Sequence, residues 1–218
     1  MANHAESGES LKSFLGEKRL EKLLTTLKQG DYLFIQFGHN DQKPESSSYV
    51  KPFIGYKDYL KLFLKTARER GATPVLITPM KRRKFDAQGN LVNTHGDYPA
   101  AMRQVAEEEN VALIDLNEMS KLLIEALGVE DSKKAFVHYP ANRFPNQDKA
   151  LEDDTHFNNY GAYQLAKCIV EGIKANKLPI RTYLIDDLRH YDPAHPDPLD
   201  TWNLPVSSFL ITAPVDPE

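Results

Sequence analysis

The chain has 218 residues, 41% hydrophobic and 27% charged, with a formal net charge of -4. These totals suit one globular domain large enough for a full core, and they exclude a strongly basic nucleic-acid binder and a disordered chain of low hydrophobicity. The single cysteine, Cys168, excludes an internal disulfide, and no apolar run approaches the roughly 18 residues of a membrane helix.

The opening residues, MANHAESGES, lack the basic and apolar regions of a signal peptide, so neither a membrane partner nor a compartment is read from them. Gly8 and Ser10 precede a helical pattern. Ser10 suits an N-cap with Ser13 close behind, and Gly8 either belongs to a flexible terminus or turns its N–H toward a site. Leu20, Leu23, Leu24 and Leu27 then fall on one helical face. Tyr32–Phe37, Pro74–Thr78 and Val111–Leu116 are short apolar runs bounded by Gly, Pro and polar residues, the pattern of buried parallel strands. Between them, helices are predicted around Tyr56, Tyr59, Leu60, Phe63, Leu64 and Ala67, and around Ala101, Met102, Val105 and Ala106. A last helix runs through Ala162, Leu165, Ala166, Ile169, Val170 and Ile173, with Asn158 or Asn159 as its N-cap. Alternating strands and helices specify an α/β domain with a parallel sheet, assigned to residues 1–178. Residues 179–218 hold Pro179, Pro193, Pro196, Pro198, Pro205, Pro214 and Pro217, half of the 14 prolines, and are expected as a tail packed on or trailing from the domain.

In open parallel sheets, ligands sit at the carboxyl ends of the strands. The first strand ends in Gly38-His39-Asn40-Asp41, where Asn40 either aims its amide at a developing oxyanion or bonds the turn backbone. The stretch LEDDTHFNNYGAYQLA, residues 151–166, places Asp153 three positions before His156 and just ahead of the last helix, in an expected ordered loop. A carboxylate that holds Nδ1–H of an imidazole, itself near a helix N-terminus that keeps it neutral, is the arrangement of a general base. Lys81-Arg82-Arg83-Lys84 follows the second strand and is expected in a loop on the same rim.

Five ordered motifs occur. They are N-H-A-x-x-G-x-S from Asn3, G-D-Y-L-F-I-Q-F-G-H-N-D from Gly30, T-P-x-x-R-R-x-F-x-x-x-G from Thr78, H-G-D-Y-P-x-A-M from His95, and D-D-T-H-F-N-x-Y-G-A from Asp153. Together they closely resemble the rhamnogalacturonan acetylesterase group of the SGNH (GDSL-like) hydrolases, over about Asn3 to Asn176. The resemblance implies a three-layer α/β/α sandwich of flavodoxin-like SGNH type and ester hydrolysis through a serine acyl-enzyme, with no cofactor and no metal. It assigns Gly8 and Asn40 as oxyanion donors, His156 as base and Asp153 as its orienting partner. The implied substrate is an acetylated acidic polysaccharide, whose carboxylates suit Arg82 and Arg83, with His95 and Arg143 on the same rim. Analogy places such enzymes outside the cell or in the periplasm.

One block of the family is not found. Its Gly-Asp-Ser, expected at the end of a first strand upstream of Gly8, does not occur in this sequence. Ser7 and Ser10 are the nearest hydroxyls to the glycine motif, but neither has that context. The expectation is therefore a domain lacking its N-terminal strands, impaired in turnover, whose Tyr32–Phe37 edge pairs with a second copy or receives strands from elsewhere. Two alternatives stand beside it: a catalytically dead carbohydrate-binding remnant, and an SGNH lipase or thioesterase. Cys168 is expected in core packing, and His190–His195 is read as a tail segment rather than a metal site.

Overall fold

The computed structural model describes residues 1–185 and 188–203. Three parallel strands, β1 (Tyr32–Ile35), β2 (Thr73–Ile77) and β3 (Ala112–Ile114), form a sheet in the order β1-β2-β3, with Phe34 opposite Val75 and Val75 opposite Ala112. Side chains alternate across a strand, and β2 uses both sides. Leu76 joins one apolar cluster with Leu11, Phe14, Tyr56, Leu60, Leu64 and Met102, whereas Val75 and Ile77 join a second with Ile114, Leu165, Cys168 and Ile173. The first cluster is built from α1 (Leu11–Gly16), α2 (Arg19–Leu24), α3 (Lys57–Glu69) and α4 (Tyr98–Glu108); the second from α5 (Leu116–Asp131, with a non-helical break at Gly128) and α6 (Asn159–Ala175). Helices on both faces of a parallel sheet make the expected three-layer α/β/α sandwich. Cys168 is buried in the second cluster.

The strand runs end earlier than their apolar stretches, because the residues just past each strand turn away to build loops. Thr78 donates its hydroxyl to Asp115 Oδ1 at 2.8 Å and accepts the Asn117 N–H, so it belongs to the start of α5 rather than to β2. Likewise Leu116, expected at the end of the third strand, opens α5. The α6 N-cap is Asn158, whose side chain accepts the Gly161 N–H at 3.1 Å. Gly172 allows α6 to lie on β3, since a Cβ there would overlap the side chain of Ile114. The described part of the proline-rich segment packs on α6: Tyr191 donates to Gln164 at 2.9 Å, and Asp197 pairs with Lys167 at 2.6 Å. Asp186, Asp187 and residues 204–218 of the expected tail lie outside the described residues.

β1 pairs with β2 on one side, and among the described residues no strand pairs with its other edge. The turn after β1 is held from below. Fully buried Asp41 accepts the Leu11 N–H at 2.9 Å on one oxygen and the Gly38 N–H at 2.9 Å on the other. Its backbone carbonyl takes the Val50 N–H at 3.1 Å and the Tyr98 hydroxyl at 3.0 Å. Gly38 sits at φ 132°, with Pro79 Cγ 3.0 Å from where a Cβ would stand, so only glycine fits there. Burial raises the Asp41 carboxyl to about 6 despite its backbone donors.

Beside this turn the His39 and His95 rings meet edge to face, centroids 4.5 Å apart. His95 is fully buried and its Nε2 has no hydrogen-bond partner. Burial lowers His39 to about 4 and His95 to about 2, and Arg82 adds to both effects. Their folded values lie below the ordinary 6.5, so the unfolded chain takes up protons first as pH falls. Stability is thus lost as pH drops from 6.5 toward 4, opposed by Asp41, which keeps a proton in the folded state between 3.8 and about 6. Thermal melting followed from pH 7 to 4 is expected to show a falling midpoint, and His95→Gln to flatten that fall. An unchanged slope in the variant would overturn this assignment.

Candidate active site

Asp153 and His156 lie on a strand and not in the expected loop. β5 (Leu151–Phe157) pairs antiparallel with β4 (Phe136–Tyr139), giving a two-stranded sheet separate from the first. Along it Tyr139 faces Leu151, His138 faces Glu152 and Val137 faces Asp153, but the next residue of β4, Phe136, faces Phe157. One step on β4 therefore spans four on β5, and Asp154, Thr155 and His156 stand out of the ladder as a bulge.

The Asp153 carboxylate organises that bulge from within. Oδ1 accepts the N–H of Thr155 at 2.7 Å and of His156 at 3.0 Å, while Oδ2 lies 2.6 Å from His156 Nδ1. Burial alone would raise the Asp153 carboxyl, but these donors outweigh it and hold the group below its ordinary value. With Nδ1 engaged, Nε2 is the free nitrogen of the imidazole. It makes no hydrogen bond among the described residues, and the side chain is 67% exposed. That leaves Nε2 able to accept a proton from an incoming hydroxyl.

The second group of expected residues comes from the N-terminal loop and the turn after β1. Asn40 Nδ2 donates to the Glu9 carbonyl at 3.0 Å, and Lys43 Nζ donates to Asn40 Oδ1 at 2.6 Å. The two contacts fix which end of the amide is nitrogen, and they leave one of its N–H groups without an acceptor among the described residues. Gly8, one residue before Glu9 whose carbonyl Asn40 holds, is at φ 86° with open space around a Cβ position. The pKa of His39 is depressed by burial first and then by the charges of Arg82, His156 and Lys43. His39 thus lies within electrostatic reach of His156 and adjoins Asn40 in the chain.

The remaining expected contacts are placed differently. His95, expected on the rim, is enclosed in the core beneath His39. Arg83, expected to meet substrate, has a side chain only 9% exposed, bonded to Ser132 Oγ at 3.0 Å, Asp154 Oδ1 at 2.9 Å and the Val129 carbonyl. Arg82 is half-buried, donating to the carbonyls of His39 at 3.0 Å and Thr94 at 3.3 Å, and pairs with no carboxylate among the described residues. Arg143 is exposed in the connection between β4 and β5. Ser10 is fully buried and forms a capping box with Ser13, so its hydroxyl is engaged in helix capping. His195 pairs with Asp192 at 2.6 Å and His190 with Glu171 at 2.8 Å, which separates the two tail histidines onto different partners. His138 and Asp154, 2.8 Å apart beside the dyad, carried no separate signal in the sequence beyond the second Asp of the D-D-T-H motif.

Comparison with known proteins bears on the same residues. The family model described as GDSL-like lipase/acylhydrolase matches residues 2–163. Rhamnogalacturonan acetylesterase RhgT of Bacillus subtilis is 46% identical over 183 residues, which cover 84% of this chain and 78% of that protein. The probable rhamnogalacturonan acetylesterase YesY of the same organism is 39% identical over 186 residues, 85% of this chain and 81% of its own. Among solved structures, that of YxiM from Bacillus subtilis superposes with a TM-score of 0.66 at 28% identity, over 81% of this chain but 46% of that one. The acetylxylan esterase Axe2 of Geobacillus stearothermophilus, at 16% identity and a TM-score of 0.53 over 77% of this chain and 68% of its own, shares the fold. The chain belongs to the GDSL-like lipase/acylhydrolase family.

Proposed function

We propose that this protein hydrolyses acetyl esters on a pectic polysaccharide of the rhamnogalacturonan type through a serine acyl-enzyme. The observation that carries the reading is the Asp153–His156 pair, 2.6 Å apart, with Nε2 exposed, in a chain whose similar relatives are named rhamnogalacturonan acetylesterases. In this mechanism His156 Nε2 takes the proton of the attacking hydroxyl as its oxygen bonds the acetyl carbonyl carbon. Asp153 holds the Nδ1–H tautomer and stabilises the imidazolium. The tetrahedral oxyanion accepts from the Gly8 N–H and the spare Asn40 N–H, each such donor typically contributing about 3 to 4 kcal/mol. Collapse breaks the bond to the sugar oxygen, which takes the proton back from His156. Water, deprotonated by the same nitrogen, then releases acetate.

No Gly-Asp-Ser occurs in the sequence, and Ser10 is buried as a cap. His156→Ala is expected to lower acetate release from acetylated rhamnogalacturonan by about 10² or more, the usual contribution of a general base. Release unaffected by the change would refute the role. Binding of the polymer without any acetate release would favour a carbohydrate-binding remnant, and a preference for octanoyl over acetyl p-nitrophenyl esters would favour a lipase.

Arg82 supports the acidic substrate class, because a half-buried guanidinium with only carbonyl acceptors leaves room for an external carboxylate. Arg82→Ala should raise KM for the uronate-bearing polymer about tenfold, near the 1.4 kcal/mol of one charge-assisted bond. KM for p-nitrophenyl acetate, which has no carboxylate, should stay within about twofold on the same scale. Equal effects on both substrates would remove Arg82 from substrate binding.

The same reading covers the edge of β1 that pairs with no strand among the described residues, where Tyr32, Leu33 and Phe34 are half-buried. An unpaired apolar edge is a pairing template, and a second copy offers the same edge in return. Sedimentation should therefore show a concentration-dependent dimer. A monomer at every concentration would count against pairing there.

A further inference from the structure

We propose that Arg83 is a positioning residue for His156, acting through Asp154 to hold the bulge that carries the imidazole in place; this rests on His156 being the catalytic base. The bonds inside the bulge do not locate it. Asp153 ties the Thr155 and His156 amides and the imidazole to itself, so bulge and ring could swing together as one unit about the end of β5. The ladder fixes the two ends, Asp153 against Val137 and Phe157 against Phe136; between them Asp154 ties the bulge to the domain, and Arg83 engages it twice. The Arg83 backbone N–H donates to the Asp154 carbonyl at 2.8 Å, and its Nη1 donates to Asp154 Oδ1 at 2.9 Å.

The rest of the guanidinium is anchored elsewhere. Nε donates to Ser132 Oγ at 3.0 Å and Nη2 to the Val129 carbonyl, both at the C-terminal end of α5, while the group's carbon stands 5.7 Å from the centre of the Phe85 ring. Arg83 therefore couples three elements, the loop after β2, the end of α5 and the bulge, through a planar fork whose donors point in fixed, diverging directions. A lysine supplies one point charge on a flexible stem and cannot satisfy the three acceptors together. His138 Nε2, 2.8 Å from the same Asp154 oxygen, ties that carboxylate back to β4. A contact serving only global stability would not need to converge on the one residue that joins Asp153 to the outstanding part of the bulge.

The test uses the full chain with Arg83→Lys and Asp154→Asn, which keep size and polarity if Arg83→Ala fails to fold. Three readouts are taken: kcat and KM for p-nitrophenyl acetate, amide hydrogen exchange at Thr155 and His156, and the pH titration of the His156 imidazole by ¹H–¹⁵N correlation. In both variants kcat should fall by up to about 10², the effect of an ångström-scale misplacement, with KM little changed. Exchange at Thr155 and His156 should accelerate more than at β2 amides, and the imidazole titration should shift. If wild type releases no acetate, the catalytic reading fails, yet faster exchange and a shifted titration would still support the clamp. Unaltered exchange and titration would overturn the proposal, as would losses of kcat matched by a uniform rise in exchange across the whole sheet.

Discussion

The carboxylate of Asp41 is the contact on which the geometry of one half of the site depends. It is buried with no cationic partner among the described residues, and it gathers the first N–H of α1 and the N–H of Gly38 onto its two oxygens. Desolvating a carboxylate costs several kcal/mol unless hydrogen bonds replace the lost water, and the raised pKa of this group reflects that tension. In return it fixes two chain segments far apart in sequence at one point. The loop holding Gly8 and the turn holding Asn40 emerge from that point side by side, joined again by the Asn40 to Glu9 bond.

The other half is built on different principles. A hairpin of limited burial would be a poor platform for a catalytic base, yet β5 carries its histidine on a three-residue bulge that an aspartate organises internally. The two halves are rooted in different layers: Asp41 in the helices on one face of the main sheet, the bulge in the end of α5 on the other. Arg82, in the loop after β2, donates to the His39 carbonyl and so joins that loop to the turn after β1.

Much of the framework was legible in order along the chain. Three short apolar runs between helical patterns read as buried strands, and Ser10 and the Asn158-Asn159 pair marked helix starts by the chemistry of their side chains, the structure choosing Asn158. The α5 helix escaped because Val111–Leu116 reads as one apolar run, and only the capping Thr78 hydroxyl shows where strand gives way to helix. β4 and β5 escaped for another reason: Leu151–Phe157 is mostly polar and half-exposed, so no period-two signal marks it, and its pairing spans an eleven-residue connection, 140–150.

For the candidate site, the sequence by itself offered a glycine, an asparagine, and an aspartate three places before a histidine, each in a recognisable motif. Local spacing suffices for Asp153 and His156 because they bond to each other within one turn of chain. Only the tertiary structure decided the roles of the basic and imidazole residues around them. Arg82 and Arg83 are adjacent and chemically identical, yet one ends against carbonyls at the site and the other in a buried clamp, because which acceptors surround a side chain is set by elements distant in sequence. The same long-range packing enclosed His95, an outcome that no motif around it could reveal.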